Sequence, residues 1–321
     1  MKRPGSVKTL KWFLFALVLS SVPACSPGST VSQPSPRASA VPTPNKPETN
    51  HEDPVLTERL RTLGQRAGGT VGIAVIHIET GRSVNIESDR QLPLYSVFKL
   101  PLAVSVLKDV EEGRLRLDTK IQVTPADIVP GTFENTALWR RPVGKTIKEL
   151  LQVSISRSDN TSSDKLLQLV GGPESVTRRM RALGYTNIDI HSTIREYVDR
   201  REKVNSGSAG DLARLLAELQ SGRILKQPEL DILRQFMRQA ITGQRRLRGD
   251  LPAGTEVADK TGSGEAGEAT NDVGIIKLPQ DRGHLAMAVL ISGSKLPVAA
   301  QEELIAELAR VAYDAYVSRH P

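Results

Sequence analysis

Apolar positions recur along this chain in two rhythms that keep to different regions. Val55, Leu56, Leu60 and Leu63 fall at helical spacing and stop at Gly68-Gly69. Residues 70–78 are β-branched and apolar, Thr80-Gly81 offers a turn, and 83–86 returns, which predicts a hairpin. A second β-rich block lies far off in sequence, at 256–261, 271–278 and 284–291, with a turn at 279–283 and a final helix over 299–318. Between the blocks the spacing is helical: 102–110, 147–154, 163–169, 173–183, 209–219 and 228–237. This segregation predicts an α/β fold of the α+β type, with an antiparallel sheet of about five strands drawn from both chain ends and covered by helices. Residues 55–90 and 241–321 form the α/β domain, and 91–240 an inserted all-helical domain.

The first 54 residues do not follow either rhythm. Lys2, Arg3, Lys8 and Lys11 precede an apolar run over 12–22 that is too short for a lasting membrane span, the pattern of an export signal over residues 1–25. The run ends at Val22-Pro23-Ala24-Cys25, which resembles a bacterial lipoprotein processing site and predicts lipid on Cys25. The alternative is an ordinary secretory signal that contains a cysteine. Cys25 is the only cysteine, so no intramolecular disulfide exists. Residues 26–54 carry seven prolines among small polar residues, which predicts a disordered tether. Without the four basic residues of the signal the formal charge falls from +7 to +3, giving no footprint for nucleic acid. A periplasmic or cell-surface monomer is expected.

Candidate chemistry sits in three short motifs: Ser96-Val97-Phe98-Lys99, Ser158-Asp159-Asn160 and Lys260-Thr261-Gly262. Ser-x-x-Lys also occurs at Ser105/Lys108, Ser162/Lys165 and Ser292/Lys295, so the pattern alone selects nothing. Ser96 follows a turn-like stretch and opens an apolar helix, where unpaired N–H groups favour negative charge and Lys99 lies one turn on. A serine hydroxyl needs a base to become a nucleophile, and a lysine kept neutral by burial or cationic neighbours can be that base. Pro101 predicts an irregularity just after Lys99. The other copies read as a later helix turn, a solvated helix face and a loop. Ser158, Asp159 and Asn160 are helix-cap residues; alternatively Ser158 relays a proton and Asn160 binds a substrate amide, with Asp159 fixing the turn. Lys260 and Thr261 on a strand edge can hold a carboxylate, or they belong to a hairpin with a solvated lysine. The backbone N–H groups of Ser96 and Ser263 are the natural pair for an oxyanion. His51, His77, His191, His284 and His320 are scattered singly, without metal-ligand spacing, so neither metal nor cofactor is expected.

With these motifs in order, the chain resembles the class A β-lactamases, serine enzymes that hydrolyse penicillins and cephalosporins. The likeness includes Leu100-Pro101-Leu102-Ala103 after the first motif, Gly171-Gly172-Pro173 after the second, and Ser263-Gly264 leading to Asn271-Asp272 after the third. It implies that Ser96 is acylated by β-lactam substrates, that Lys99 accepts its proton and Ser158 relays it, and that Asn160, Lys260 and Thr261 bind substrate. The run from Thr242 to Arg248 resembles a family segment whose first arginine, here Arg246, reaches the substrate carboxylate; a surface charge is the alternative.

One family element is missing. The loop glutamate of a Glu-x-x-x-Asn pattern, which activates the water that releases the acyl group, is replaced in register by Ile194. Glu196 is the nearest acid and the candidate substitute; the alternative is that it pairs with Arg195, Arg200 or Arg201. Two further readings therefore stand beside a hydrolase: a slowly deacylating penicillin-binding sensor or D-alanyl peptidase, and a lipoprotein that only binds a partner. Trp139, Glu265 and Glu268 are expected near the pocket that sets substrate range, the alternative for Trp139 being simple packing.

Overall fold

A computed structural model describes residues 53–129, 136–200 and 203–318. The export signal, Cys25, residues 26–52 of the expected tether, His51 and His320 lie outside the described residues, and the last two tether residues, Asp53 and Pro54, belong instead to the start of α1. Helix α1 (Pro54–Gln65) leads to the hairpin β1 (Thr70–His77) and β2 (Ser83–Ile86), then β3 (Leu92–Pro93). A 3-10 turn over Tyr95–Phe98 runs straight into α2 (Lys99–Glu111). The middle of the chain holds the ribbon β4 (Lys120–Val123) and β5 (Val143–Thr146), then α3 (Ile147–Ser156), α4 (Asn160–Leu169), α5 (Pro173–Ala182), β6 (Ile188–Asp189), α6 (Ile194–Arg200), β7 (Ser206–Gly207), α7 (Ala209–Gln220) and α8 (Gln227–Arg238). Strands β8 (Val257–Ser263), β9 (Ala269–Lys277) and β10 (His284–Ser292) and helix α9 (Val298–Val317) complete it.

The main sheet has five strands in the order β2-β1-β10-β9-β8, with every pairing given for its strands antiparallel. Its alternation explains both covers. On β10, Leu285, Met287, Val289 and Ile291 face a cluster formed with α1 and α9. Ala286, Ala288 and Leu290 face the opposite cluster, which includes Leu212, Leu215, Leu216 and Leu219 of α7. Small alanines on that face let α7 lie close to the sheet, so this helix of the middle stretch shares one apolar cluster with the strands. Burial on both faces is why these strands read as continuous apolar runs rather than alternating ones.

Pro54 takes the first turn of α1, capped by the Asp53 carboxylate on Leu56 N–H at 3.1 Å. The irregularity expected after Lys99 falls before it instead. Pro101 occupies the first turn of α2, where a missing N–H costs nothing, and the distorted segment is the 3-10 turn that carries Ser96.

Candidate active site

Two elements meet at the site because glycine and asparagine let them. A side chain at Gly262 of β8 would put its Cβ 2.2 Å from the Leu94 carbonyl and 3.1 Å from the Val97 N–H, so only glycine allows β8 to lie on the turn before Ser96. Asn271 of β9 adds a tie, donating from Nδ2 to the Pro93 carbonyl at 2.8 Å while its Oδ1 accepts from Ile291 N–H at 3.2 Å. The second motif enters through α4. Asp159 caps that helix, accepting from Ser162 N–H at 2.6 Å, and its other oxygen accepts from the Trp139 indole at 3.1 Å. Ser158 just before it is held at φ 56°, a left-handed conformation rare outside glycine.

These constraints bring the predicted residues together. A cavity of about 570 Å³ is lined by Ser96, Ser158, Asn160, Thr261, Ser263 and Arg246, among others. Lys99 and Lys260 stand behind its wall, both with 0% exposure, so Lys260 is not the solvated residue of a hairpin. Lys99 Nζ donates to the Ser158 carbonyl at 2.6 Å, to Ser158 Oγ at 3.3 Å and to Asn160 Oδ1 at 2.8 Å. Lys260 Nζ donates to Ser158 Oγ at 3.1 Å and to the Thr261 carbonyl at 2.9 Å. One hydroxyl thus joins two amines.

Burial, and then the charge of Lys260, push the Lys99 amine well below its ordinary value. Burial brings Lys260 down to about 8, opposed by Asp259 and Asp272. Those two carboxyls are themselves buried and raised, chiefly by burial. Asp259 is bound by Arg248 Nε at 2.7 Å. The Asp272 Oδ2 accepts from Leu247 N–H at 3.1 Å.

The decoy pairs are structural. Ser105 Oγ donates to the Pro101 carbonyl at 2.9 Å and Lys108 pairs with Glu111 at 2.7 Å. Ser162 is fully buried at the start of α4, not on a solvated face, and Lys165 pairs with Asp127 at 2.8 Å. Ser292 ends β10, and Lys295 is exposed.

Glu196 and Glu268 do not stand where the sequence reading expects them, and for Arg246 and Trp139 the structure chooses between the alternatives. Glu196 does not line the cavity: its Oε2 accepts from Thr193 N–H at 2.8 Å and Oγ1 at 3.0 Å, while Thr193 Oγ1 accepts from Glu196 N–H at 3.1 Å. This is a capping box for α6, and Thr193-x-x-Glu196 was its visible signal. Nor does Arg195 pair with it; Arg195 reaches the Ile128 carbonyl at 2.7 Å and Asp199 at 3.9 Å, and Arg201 lies outside the described residues. Arg246 is no surface charge, being 5% exposed, but most of its donors are committed: Nε to Glu302, Nη1 to the Gly262 and Asn271 carbonyls, Nη2 to Ser263 Oγ. One Nη2 hydrogen is left for a ligand. Trp139 is core rather than pocket wall, and Glu268 borders a neighbouring cavity, whereas Glu265 does line the main one.

Sequence reasoning missed Asp164. From α4 its carboxylate accepts from Ile194 N–H at 2.8 Å and Arg195 N–H at 2.9 Å, anchoring the segment whose Ile194 forms part of the cavity wall. Burial raises its pKa, opposed by those bonds and by Lys99.

Comparisons with known proteins show the family. The model of the family described as "Beta-lactamase enzyme family" matches residues 55–316. The chain is 33% identical to the extended-spectrum beta-lactamase PER-1 of Pseudomonas aeruginosa over 83% of its length and 89% of that protein. It is 29% identical to the beta-lactamase VEB-1 of the same organism, over 84% and 93%. A solved beta-lactamase from Chitinophaga pinensis superposes with a TM-score of 0.78 at 32% identity, covering 81% of this chain and 99% of that one. A chain of this fold, with a cavity-lining serine and a buried lysine one turn on and matched along nearly all its described residues, belongs to the beta-lactamase enzyme family: the protein is a class A serine hydrolase of β-lactams.

Proposed function

We propose that hydrolysis runs through an acyl-enzyme on Ser96 that is released slowly. The observation that carries the first half is the Lys99 amine, buried among the neutral oxygens of Ser158 and Asn160 and disfavoured as a cation. Neutral Lys99 takes the Ser96 proton as the hydroxyl oxygen bonds to the lactam carbonyl carbon, and the N–H groups of Ser96 and Ser263 receive the developing oxyanion. As the carbon–nitrogen bond breaks, Ser158, bonded to both lysines, passes the proton to the leaving nitrogen. Lys260, Thr261 and the remaining Arg246 donor favour the substrate carboxylate, and Asn160 a side-chain amide. Slow release is supported by Ile194 in the cavity wall and by Glu196 being committed to its own helix.

Intact-mass spectrometry during turnover of a chromogenic cephalosporin tests both halves. The expected result is a covalent adduct on the wild-type protein that outlasts free substrate, and neither adduct nor hydrolysis in Ser96→Ala. Fast hydrolysis with no adduct at steady state overturns slow release; hydrolysis by Ser96→Ala overturns the site.

We also propose that the chain is exported and held at a membrane by lipid on Cys25, from the signal and the small residues before that cysteine. Wild-type protein should then sediment with membranes and Cys25→Ser should not; equal distribution rules the anchor out.

A further inference from the structure

The residue before the nucleophile is tied down in ways the acylation chemistry does not require. Tyr95 holds φ 46°, a left-handed conformation that is strained for a bulky side chain and persists only where neighbours enforce it. Three neighbours do. Its ring lies over Gly264, where a Cβ would come within 2.8 Å of Cε2 and Cζ. Its hydroxyl donates to Glu268 Oε2 at 2.6 Å, a short bond to a charged acceptor. It also meets Tyr197 of α6 edge-on, with centroids 6.1 Å apart and planes at 88°. Burial and the bond to Glu268 push the Tyr95 hydroxyl up, so it remains a donor.

The far end of this strut is also fixed. Glu268 follows the 3-10 turn Glu265–Gly267 between β8 and β9; its N–H donates to the Glu265 carbonyl at 2.9 Å and its carbonyl accepts from Gly293 N–H at 3.0 Å. Ser96 therefore starts at one end of the Tyr95–Glu268 bond, and Ser263 stands at the head of the connection that holds the other.

We propose that Tyr95 is a positioning residue: its bond to Glu268 ties the turn carrying Ser96 to the connection carrying Ser263 and sets the spacing of their two oxyanion-binding N–H groups. This rests on the acyl-enzyme reading above. Ground-state binding uses Thr261, Lys260, Asn160 and the Arg246 donor; Tyr95 lines the same cavity, but loss of its hydroxyl bond to Glu268 removes none of those groups, so loosening the strut acts on the acylation step and leaves affinity nearly unchanged.

Single-turnover acylation of the full protein by a chromogenic cephalosporin separates the two quantities. Tyr95→Phe and Glu268→Ala should each slow acylation about tenfold, less than the ~10²–10³ lost when an oxyanion donor is deleted. Affinity should stay within about twofold, the double variant should be no slower than either single one, and Glu268→Gln, which keeps an acceptor oxygen, should recover most of the rate. Acylation of both variants at the wild-type rate, losses that multiply in the double variant, or a loss confined to affinity overturns the proposal. Glu268 is exposed, so Glu268→Ala reads the strut even where Tyr95→Phe folds poorly. A wild-type protein that never forms the adduct is a different result, and rejects the site reading itself.

Discussion

Ser158 stands between two buried amines, and its hydroxyl is the nearest group through which the charge of one lysine is felt by the other. A proton on Lys260 disfavours a second on Lys99, so the pair can hold one neutral base and one cation side by side. With Lys260 near 8, its cation is present below that pH and lost above it. The sign for catalysis follows: kcat/KM toward a carboxylate-bearing β-lactam falls as pH rises through about 8. In Lys260→Arg, whose guanidinium stays charged, this alkaline limb disappears even if the rate is lower throughout. A wild-type limb that persists unchanged in Lys260→Arg assigns it to another group. At this scale Ser96 and Lys99 were legible because their place at a helix start is local. The burial of Lys260 was not, since it depends on Ser158, far away in sequence. The role of Asp164 was hidden for the same reason: its partners are the backbone N–H groups of Ile194 and Arg195, which any residue supplies.

Helix α6 shows how an element can be set by its ends. Its seven residues, Ile-Arg-Glu-Tyr-Val-Asp-Arg, place Ile194, Tyr197 and Val198 at helical spacing, but the stretch is too short for periodicity to reveal it, and those three line the cavity rather than a buried core. What holds it is the Thr193/Glu196 capping box at its start and the Asp164 carboxylate beneath its first N–H groups. Loss of a cap costs ~1 kcal/mol, or about 2–4 °C in melting temperature for a domain of this size. Glu196→Ala is therefore expected to melt a few degrees lower while the lifetime of the Ser96 adduct stays within about twofold. A lifetime lengthened tenfold or more would restore Glu196 as the base. The longer helices were legible because each buries an apolar face. The two-residue strands β3, β6 and β7 were not, being fixed by pairing with one another rather than by their own composition.

Across the whole molecule, the sheet was legible because apolar runs at both ends of the chain are too continuous to be half-exposed strands. Their order was not, because pairing partners leave no local mark. That order places β10 in the middle, between β1 and β9, with Thr70 opposite Ser292 and His77 opposite Leu285. During synthesis this has a plain consequence. Until the last few dozen residues have been made, β1 has only β2 beside it in the sheet, and the parts of α1 and β1 that meet β10 and α9 stay uncovered. Such distant pairing makes for slow closure. A chain that cannot finish its sheet until its tail emerges remains threadable through a narrow channel for nearly the whole time it is being made.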